Sequence, residues 1–191
     1  MNDKTSPFPL SFSLSNPWKF PLHGMPLRCS IPLPVGFVKD PAKELVLLDE
    51  KNRDCRVQWR VLSTWEDGSV RFALMNYAEG TVPPRKTFRY TLQVKEGAVK
   101  TAPTTMIKVK STASSITIDT GRLVWVFNKR KFTFGDSIRF NCRDLMKGRK
   151  TELCITDEDG FVFTASEGDY RVSLEENGPY RVVVRVEGSH G

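Results

Sequence analysis

The sequence predicts an all-β fold, in which a small β-barrel is followed by an antiparallel β-sandwich. Short runs of alternating apolar and polar residues recur along most of the chain, and Gly, Pro, Asn and Asp separate them. Alternation with a period of two is typical of strands that bury one face of an antiparallel sheet. No window of about 11 residues shows helical periodicity. Many short strands with frequent turns indicate a barrel or a sandwich.

Each strand is predicted from one such run. In residues 55–61 every second residue is apolar and the residues between them are Arg56, Gln58 and Arg60; residues 88–94 and 180–186 alternate similarly. Residues 41–45 predict at most a single helical turn. The predicted strands lie near 27–33, 44–48, 55–62, 69–77, 87–95, 105–109, 114–119, 122–128, 137–142, 151–156, 160–164, 169–175 and 180–187.

Three segments are predicted along the chain. Residues 1–25 are rich in Pro and Ser and are interpreted as an N-terminal arm that lies over a surface without forming an element. Residues 26–110 form the barrel, and weakly patterned links near 98–103 and 111–115 mark its end. Residues 111–191 form a sandwich segment. We expect this segment to be incomplete, because a long apolar strand close to the end of a chain normally has a partner.

A turn runs directly into the strand that follows it at Trp65–Leu74. Asp67-Gly68 is a dipeptide of the hairpin type, because Gly readily adopts positive φ. Simple alternation then predicts that Val70, Phe72 and Leu74 face the core. A structural role is favoured for Asp67. Trp65 is interpreted either as a residue that packs at the sheet edge or as a platform on which a sugar stacks.

The charge of the chain favours acidic partners. It has 29 Lys and Arg against 22 Asp and Glu, a formal net charge of +7, which suits nucleic acid, an anionic surface or an acidic sugar. The dense run Lys129–Lys131 is interpreted as a solvated turn. We expect neither nucleic acid nor membrane as a partner, because no base-stacking motif and no apolar run of about 18 residues is present. A signal peptide is also missing, which favours the cytoplasm; secretion remains open if a leader was removed.

No catalytic motif, cofactor fingerprint or metal-ligand spacing is found, and we expect no cofactor and no metal. The four cysteines, Cys29, Cys55, Cys142 and Cys154, are interpreted as buried small apolar residues, with disulfides as the alternative. The run Asp157–Gly160 lacks the spaced ligands of a calcium loop and predicts a hairpin turn. As carbohydrate-binding residues we predict Trp65, Arg71 and Arg60.

Several segments resemble a known family. The matching segments are Ile31–Gly36, Leu45–Asp49, Val57–Gln58 and Trp65–Phe72, followed by Thr120–Leu123 and Asn177–Gly188. Together they look like the first domain of exo-rhamnogalacturonan lyase-like proteins, described as a RIFT-type β-barrel, and the start of the β-sandwich domain that follows it. The resemblance spans about residues 26–188.

The resemblance implies a parent protein that cleaves the acidic rhamnose–galacturonic acid backbone of pectin by β-elimination, with a large helical domain after the β modules. Because the family's helical domain is missing from these residues, no catalytic residue is carried over. The first hypothesis is therefore a non-catalytic module that scaffolds the helical catalytic domain or binds acidic polysaccharide. The second is a free-standing barrel for protein–protein assembly. The third, that the chain is itself a lyase, is the weakest.

Overall fold

Antiparallel strands make up almost all of the regular structure in the computed structural model, which describes residues 8–95, 107–131, 135, 137–149 and 152–190. This confirms the all-β prediction. The chain divides into two units, Met1–Pro103 and Thr104–Gly191. Within the described ranges the single helix has four residues, so no helix there is long and apolar enough to cross a membrane.

The first unit contains seven strands and the short helix among its described residues. Asp40 caps the helix by accepting a hydrogen bond from the Ala42 N–H, as expected for a single turn that begins with a proline. In chain order the elements are β1 Leu10–Ser15, β2 Leu22–Pro32, α1 Pro41–Glu44, β3 Leu45–Asp49, β4 Asp54–Cys55, β5 Gln58–Thr64, β6 Val70–Val82 and β7 Thr87–Val94.

The N-terminal segment is not an arm without structure, as the sequence had suggested. Leu10–Ser15 pairs antiparallel with β7, from Leu10 opposite Leu92 to Ser15 opposite Thr87. The reason is visible in the alternation of the segment, because Leu10, Phe12 and Leu14 pack against the core while the serines between them face outward. The segment therefore supplies the edge strand of a sheet in the order β1-β7-β3-β4.

The second sheet of this unit has the order β2-β6-β5. The two sheets share one hydrophobic core, to which strands of both contribute: Ile31, Leu33, Val38, Leu45, Leu47, Cys55, Val70, Ala73, Met75, Tyr90 and Leu92. In the described part of this unit the hydrogen-bonded ladders do not join into a closed barrel, because β1 and β2 each end their own sheet. Instead of the expected closed barrel, this part of the unit consists of two antiparallel sheets that face a common core.

Asn16 fixes the connection between β1 and β2. Its side chain is only 2% exposed. The Nδ2 group donates to the carbonyl oxygens of Phe20, Val82 and Pro83 at 2.9 to 3.0 Å, and Oδ1 accepts from the Trp18 N–H at 2.9 Å. One buried amide thus holds the β1–β2 connection against the turn between β6 and β7.

The described strands of the second unit form a five-stranded sheet and two hairpins. The sheet has the order β12-β11-β10-β9-β8, and β13 pairs with β14 and β15 with β16. Their bounds are β8 Lys108–Ser111, β9 Ser115–Asp119, β10 Leu123–Asn128, β11 Ser137–Phe140, β12 Arg143–Asp144, β13 Cys154–Thr156, β14 Val162–Thr164, β15 Tyr170–Asn177 and β16 Val182–Gly188.

The core of the second unit lies between the five-stranded sheet and the last hairpin. Ile116 of β9 and Phe127 of β10 cluster with Ala165 and with Val172 of β15. The predicted boundary between residues 110 and 111 falls inside β8, which pairs with β9 and so belongs to this unit. A strand was predicted near 105–109, but its assignment to the first segment was wrong because its hydrogen-bonding partner follows it in the chain.

Candidate functional site

The candidate site lies on the hairpin formed by β5 and β6, where the predicted residues Trp65 and Arg71 are found. The turn is closed by hydrogen bonds from the Gly68 N–H to the Trp65 carbonyl at 3.0 Å and from the Trp65 N–H to the Ser69 carbonyl at 2.7 Å. Gly68 has a φ of +78°, a conformation that a residue with a Cβ adopts only at a cost. The Asp-Gly dipeptide therefore acts as the hairpin signal that the sequence indicated.

Ser69 fastens this turn to the loop after β2. Its side chain is fully buried. The Ser69 hydroxyl donates to Oδ1 of Asp67 at 2.5 Å and accepts from the Gly36 N–H at 2.8 Å. The Asp67 carboxylate also accepts from the Ser69 N–H, and these hydrogen bonds lower the pKa of Asp67, with the hydroxyl making the largest contribution. Asp67 therefore has the structural role that the sequence favoured.

Trp65 is held in one orientation by the same loop. Its indole Nε1 donates to the Leu33 carbonyl at 2.9 Å, and the ring is half-buried. The hydrogen bond of the indole N–H to the backbone already fixes the orientation of the ring. Little side-chain entropy is therefore lost when a ligand covers its exposed face. The edge-packing interpretation and the platform interpretation of Trp65 are therefore compatible.

The guanidinium group of Arg71 stacks on this ring. Its Cζ atom lies 4.8 Å from the centroid of the Trp65 ring and 5.7 Å from that of Phe72. Contacts of this kind contribute about 0.5–1 kcal/mol at exposed sites. We call these three side chains, Trp65, Arg71 and Phe72, the stack.

A break in the ladder places Arg71 in this position. Val61 is opposite Ala73 and Thr64 is opposite Val70, but between them Ser63 is opposite Phe72, so Leu62 on β5 and Arg71 on β6 each lack a partner in register. A local bulge of this type re-aims side chains and interrupts the regular alternation. Phe72 was predicted to face the core and is instead 36% exposed.

Beyond the bulge, Ala73 and Met75 of β6 belong to the core cluster, and Leu74, which was predicted to face the core, is also buried. Alternation alone cannot reveal a bulge, so no sequence pattern indicated that Phe72 contributes to the stack. Arg60 lies on β5 opposite Leu74, two register positions from the pair formed by Ser63 and Phe72. The structure thus brings Arg71 and Trp65 together and leaves Arg60 on the neighbouring part of the sheet.

A second group of ionisable side chains in the first unit surrounds Glu79. Its Oε2 accepts hydrogen bonds from the hydroxyls of Tyr77 at 2.9 Å and Tyr90 at 2.5 Å, and its Oε1 accepts from the Gly80 N–H at 3.0 Å. Burial raises the pKa of both tyrosines, and burial also raises the pKa of the Cys55 thiol to about 11. Both hydroxyls therefore stay protonated as donors, which fits a structural cluster.

The four cysteines differ in burial. Cys55 is buried and Cys29 is half-buried, but Cys142 and Cys154 are exposed, so the burial prediction was wrong for these two. All four thiols are free, without a disulfide. In the Asp157–Gly160 turn, the Asp157 side chain accepts from the backbone of Asp159 and Phe161, a turn as predicted. Across the described ranges, no three His, Cys, Asp or Glu side chains are grouped to hold a metal ion.

Comparison with known proteins finds a distant relative. No family model matches the chain. The chain is 24% identical over 158 residues to an uncharacterized protein, YetA, of Bacillus subtilis (strain 168). The alignment covers 76% of this chain but 17% of that protein, so this chain spans only a small part of the relative's length.

Proposed function

We propose that this chain is a non-catalytic β module of a longer, rhamnogalacturonan lyase-like protein, where it scaffolds the catalytic region and binds acidic carbohydrate. The observation that carries the proposal is the stack, in which a guanidinium group lies 4.8 Å from an oriented tryptophan ring and 5.7 Å from an exposed phenylalanine ring. The similarity to a part of the much longer YetA supports the modular role. Because YetA is itself uncharacterized, it suggests no substrate.

The chemistry of the stack suits a uronic acid. Aromatic side chains offer a flat apolar surface of the type against which the C–H face of a sugar packs. The guanidinium group presents paired N–H donors that match a carboxylate. Since the Trp65 ring already orients the Arg71 guanidinium, less entropy is lost when a carboxylate binds. The net charge of +7 further favours encounter with an acidic polymer.

The carbohydrate part is tested by titrating the full chain with rhamnogalacturonan oligosaccharides and following amide NMR shifts. We expect shifts around residues 65–72 and an affinity that falls about tenfold in Arg71→Gln, equivalent to about 1.4 kcal/mol. Arg89→Gln, an exposed arginine on β7, is the matched control and should bind like the wild type. Methyl-esterified oligosaccharides should bind weakly and equally to all three proteins.

Two outcomes would contradict this part. Unchanged spectra at millimolar ligand would leave scaffolding as the only role of the chain. An equal loss of affinity in Arg89→Gln would show that the effect of Arg71→Gln comes from net charge.

The non-catalytic part is tested separately by the ultraviolet absorbance of the unsaturated uronate product. The chain alone should give a flat trace, and a rising trace would establish it as a lyase.

A free-standing assembly module is the second candidate, and one surface of the second unit favours it. Strands β13 and β14 form a two-stranded hairpin whose apolar side chains Ile155, Phe161, Val162 and Phe163 are all exposed. Apolar side chains grouped in this way often mark a protein interface. Light scattering distinguishes the candidates: assembly that Ile155→Ser and Phe163→Ser both abolish supports the second, and a monomer at high concentration counts against it.

A further inference from the structure

A groove of about 510 Å³ in the second unit is lined by basic and polar groups that the proposed function does not use. Its lining residues are Asp119, Gly121, Arg122, Val124, Arg139, Asn141 and Cys142. Ile116, Ile118, Trp125 and Phe127 point from the same sheet into the core, so alternation places Asp119, Val124 and Arg139 on the opposite face. The groove therefore lies on the side of the sheet that faces away from its own core.

The register of the sheet explains which charges meet there. Asp119 is opposite Val124, Val124 is opposite Arg139, and Arg139 is opposite Asp144. Side chains that are directly opposite on antiparallel strands lie close together on one face. Arg122 joins this row from the turn between β9 and β10, where its carbonyl accepts from the Asn141 N–H at 2.8 Å.

The two carboxylates in this row are engaged by the backbone. Oδ1 of Asp119 accepts from the Gly121 N–H at 2.7 Å, and Oδ1 of Asp144 accepts from the Met146 N–H at 2.8 Å. Within the described ranges, neither Arg122 nor Arg139 forms an ion pair. Two guanidinium groups thus line one groove without a carboxylate partner of their own.

The turn between β11 and β12 places the thiol of Cys142, which can be labelled chemically, at the groove. Asn141 and Cys142 have φ values of +47° and +65°, so both central residues are left-handed, as in a type I′ turn. Asn is common at the first of these positions, but Gly is usual at the second. The geometry holds the exposed Cys142 at the groove that Arg122 and Arg139 line.

We propose that this groove binds the carboxylate of an anionic ligand through Arg122 and Arg139. Guanidinium groups recognise carboxylates by paired, charge-assisted hydrogen bonds, and Arg122 and Arg139 line the same groove. The proposal goes beyond the proposed function, whose ligand lies on the stack in the first unit. Neither site depends on the other, so each can fail alone.

Alkylation of Cys142 tests the proposal on the intact chain. Iodoacetate carries a carboxylate and iodoacetamide does not, and both react with the thiolate, so the ratio of their rates reports the affinity of the site for an anion. The exposed Cys154 of the same unit is the internal reference. Mass spectrometry of peptides should show a ratio about fivefold higher at Cys142 than at Cys154, the factor that corresponds to about 1 kcal/mol.

Substitutions and competing ligands then test whether Arg122 and Arg139 cause the preference of Cys142 for iodoacetate. Arg122→Gln and Arg139→Gln should each remove the preference at Cys142, while Arg171→Gln, an exposed arginine of β15 with the same change of charge, should keep it. Millimolar galacturonate should protect Cys142 from iodoacetamide and galactose should not. Equal ratios at the two cysteines, a preference that survives both substitutions, or equal protection by galactose would each overturn the proposal. Binding at the stack is unaffected by any of these results.

Discussion

Replacement of Asn16 by alanine should destabilise the first unit by about 3 kcal/mol. The side chain is almost fully buried and bonds to three carbonyl oxygens and one N–H. An asparagine amide has two N–H donors, so the three carbonyls share two hydrogens, and the acceptor adds a third hydrogen bond. At about 1 kcal/mol for each hydrogen bond, the sum is about 3 kcal/mol.

Urea denaturation of the full chain measures this loss. Amide NMR signals of residues 8–95 should be followed separately from those of the second unit, because the two units need not unfold together. With a slope of about 1.5 kcal/mol per molar, typical of small domains, the midpoint of the first unit should fall by about 2 M. Ser13→Ala, a change of an exposed residue in β1, is the control and should stay within about 0.5 kcal/mol of the wild type.

The isosteric variant Asn16→Asp sharpens the test. It keeps the acceptor for the Trp18 N–H but places a carboxylate against three carbonyl oxygens. Burial among acceptors raises the folded pKa of such a carboxyl above its unfolded value of about 3.9, so the variant should lose stability as the pH rises from about 4 to 7. The assigned hydrogen bonds would be refuted if Asn16→Ala lowered the free energy of unfolding by less than about 1 kcal/mol, or if the stability of Asn16→Asp did not depend on pH.

Four further predictions concern single side chains. Cys142→Gly should stabilise the second unit by about 1 kcal/mol in urea denaturation, because glycine adopts φ of +65° without strain; lower stability would contradict this. At pH 8, Cys55 should react with iodoacetamide at least about 100-fold more slowly than Cys154, since burial raises its pKa to about 11; similar rates would be inconsistent with that burial. Glu79→Ala should cost about 2–3 kcal/mol, because two tyrosine hydroxyls and an N–H lose their acceptor; thermal denaturation within experimental error of the wild type would exclude the cluster. The folded pKa of Asp67 lies below its unfolded value, so the stability difference between wild type and Asp67→Asn should be full above about pH 4 and disappear as the pH falls through the folded pKa; a difference that grows on acidification would reverse the assignment.

The strands and the hairpin turn follow from local patterns, and these are the parts that sequence reasoning predicted well. Alternation identified the apolar face of residues 55–59, and Asp67-Gly68 identified the turn. These signals are local because the side-chain period and the allowed φ values are properties of a few neighbouring residues.

The features that sequence reasoning missed depend on contacts between distant residues. Leu10–Ser15 is short and adjoins a Pro-rich stretch, so its pairing with β7 becomes evident only from the partner strand. No residue type in the sequence marks the bulge at Arg71, and this bulge is the reason that Phe72 is exposed to solvent. For the same reason the stacked geometry of Arg71 and Trp65 could not be predicted, and their role in binding carbohydrate stays a prediction.

The buried hydroxyl of Ser69 bears on how relatives of this chain are to be recognised. Any protein with a small hydroxyl side chain at this position, an acidic residue two places earlier and a glycine between them can tie a hairpin to an adjacent loop in the same manner. The tripeptide therefore marks this local tie and carries no information about the molecules that a relative contacts. Under the proposed function, differences in ligand preference among relatives would arise two to three residues later, at positions 71 and 72, where the side chains are exposed to solvent.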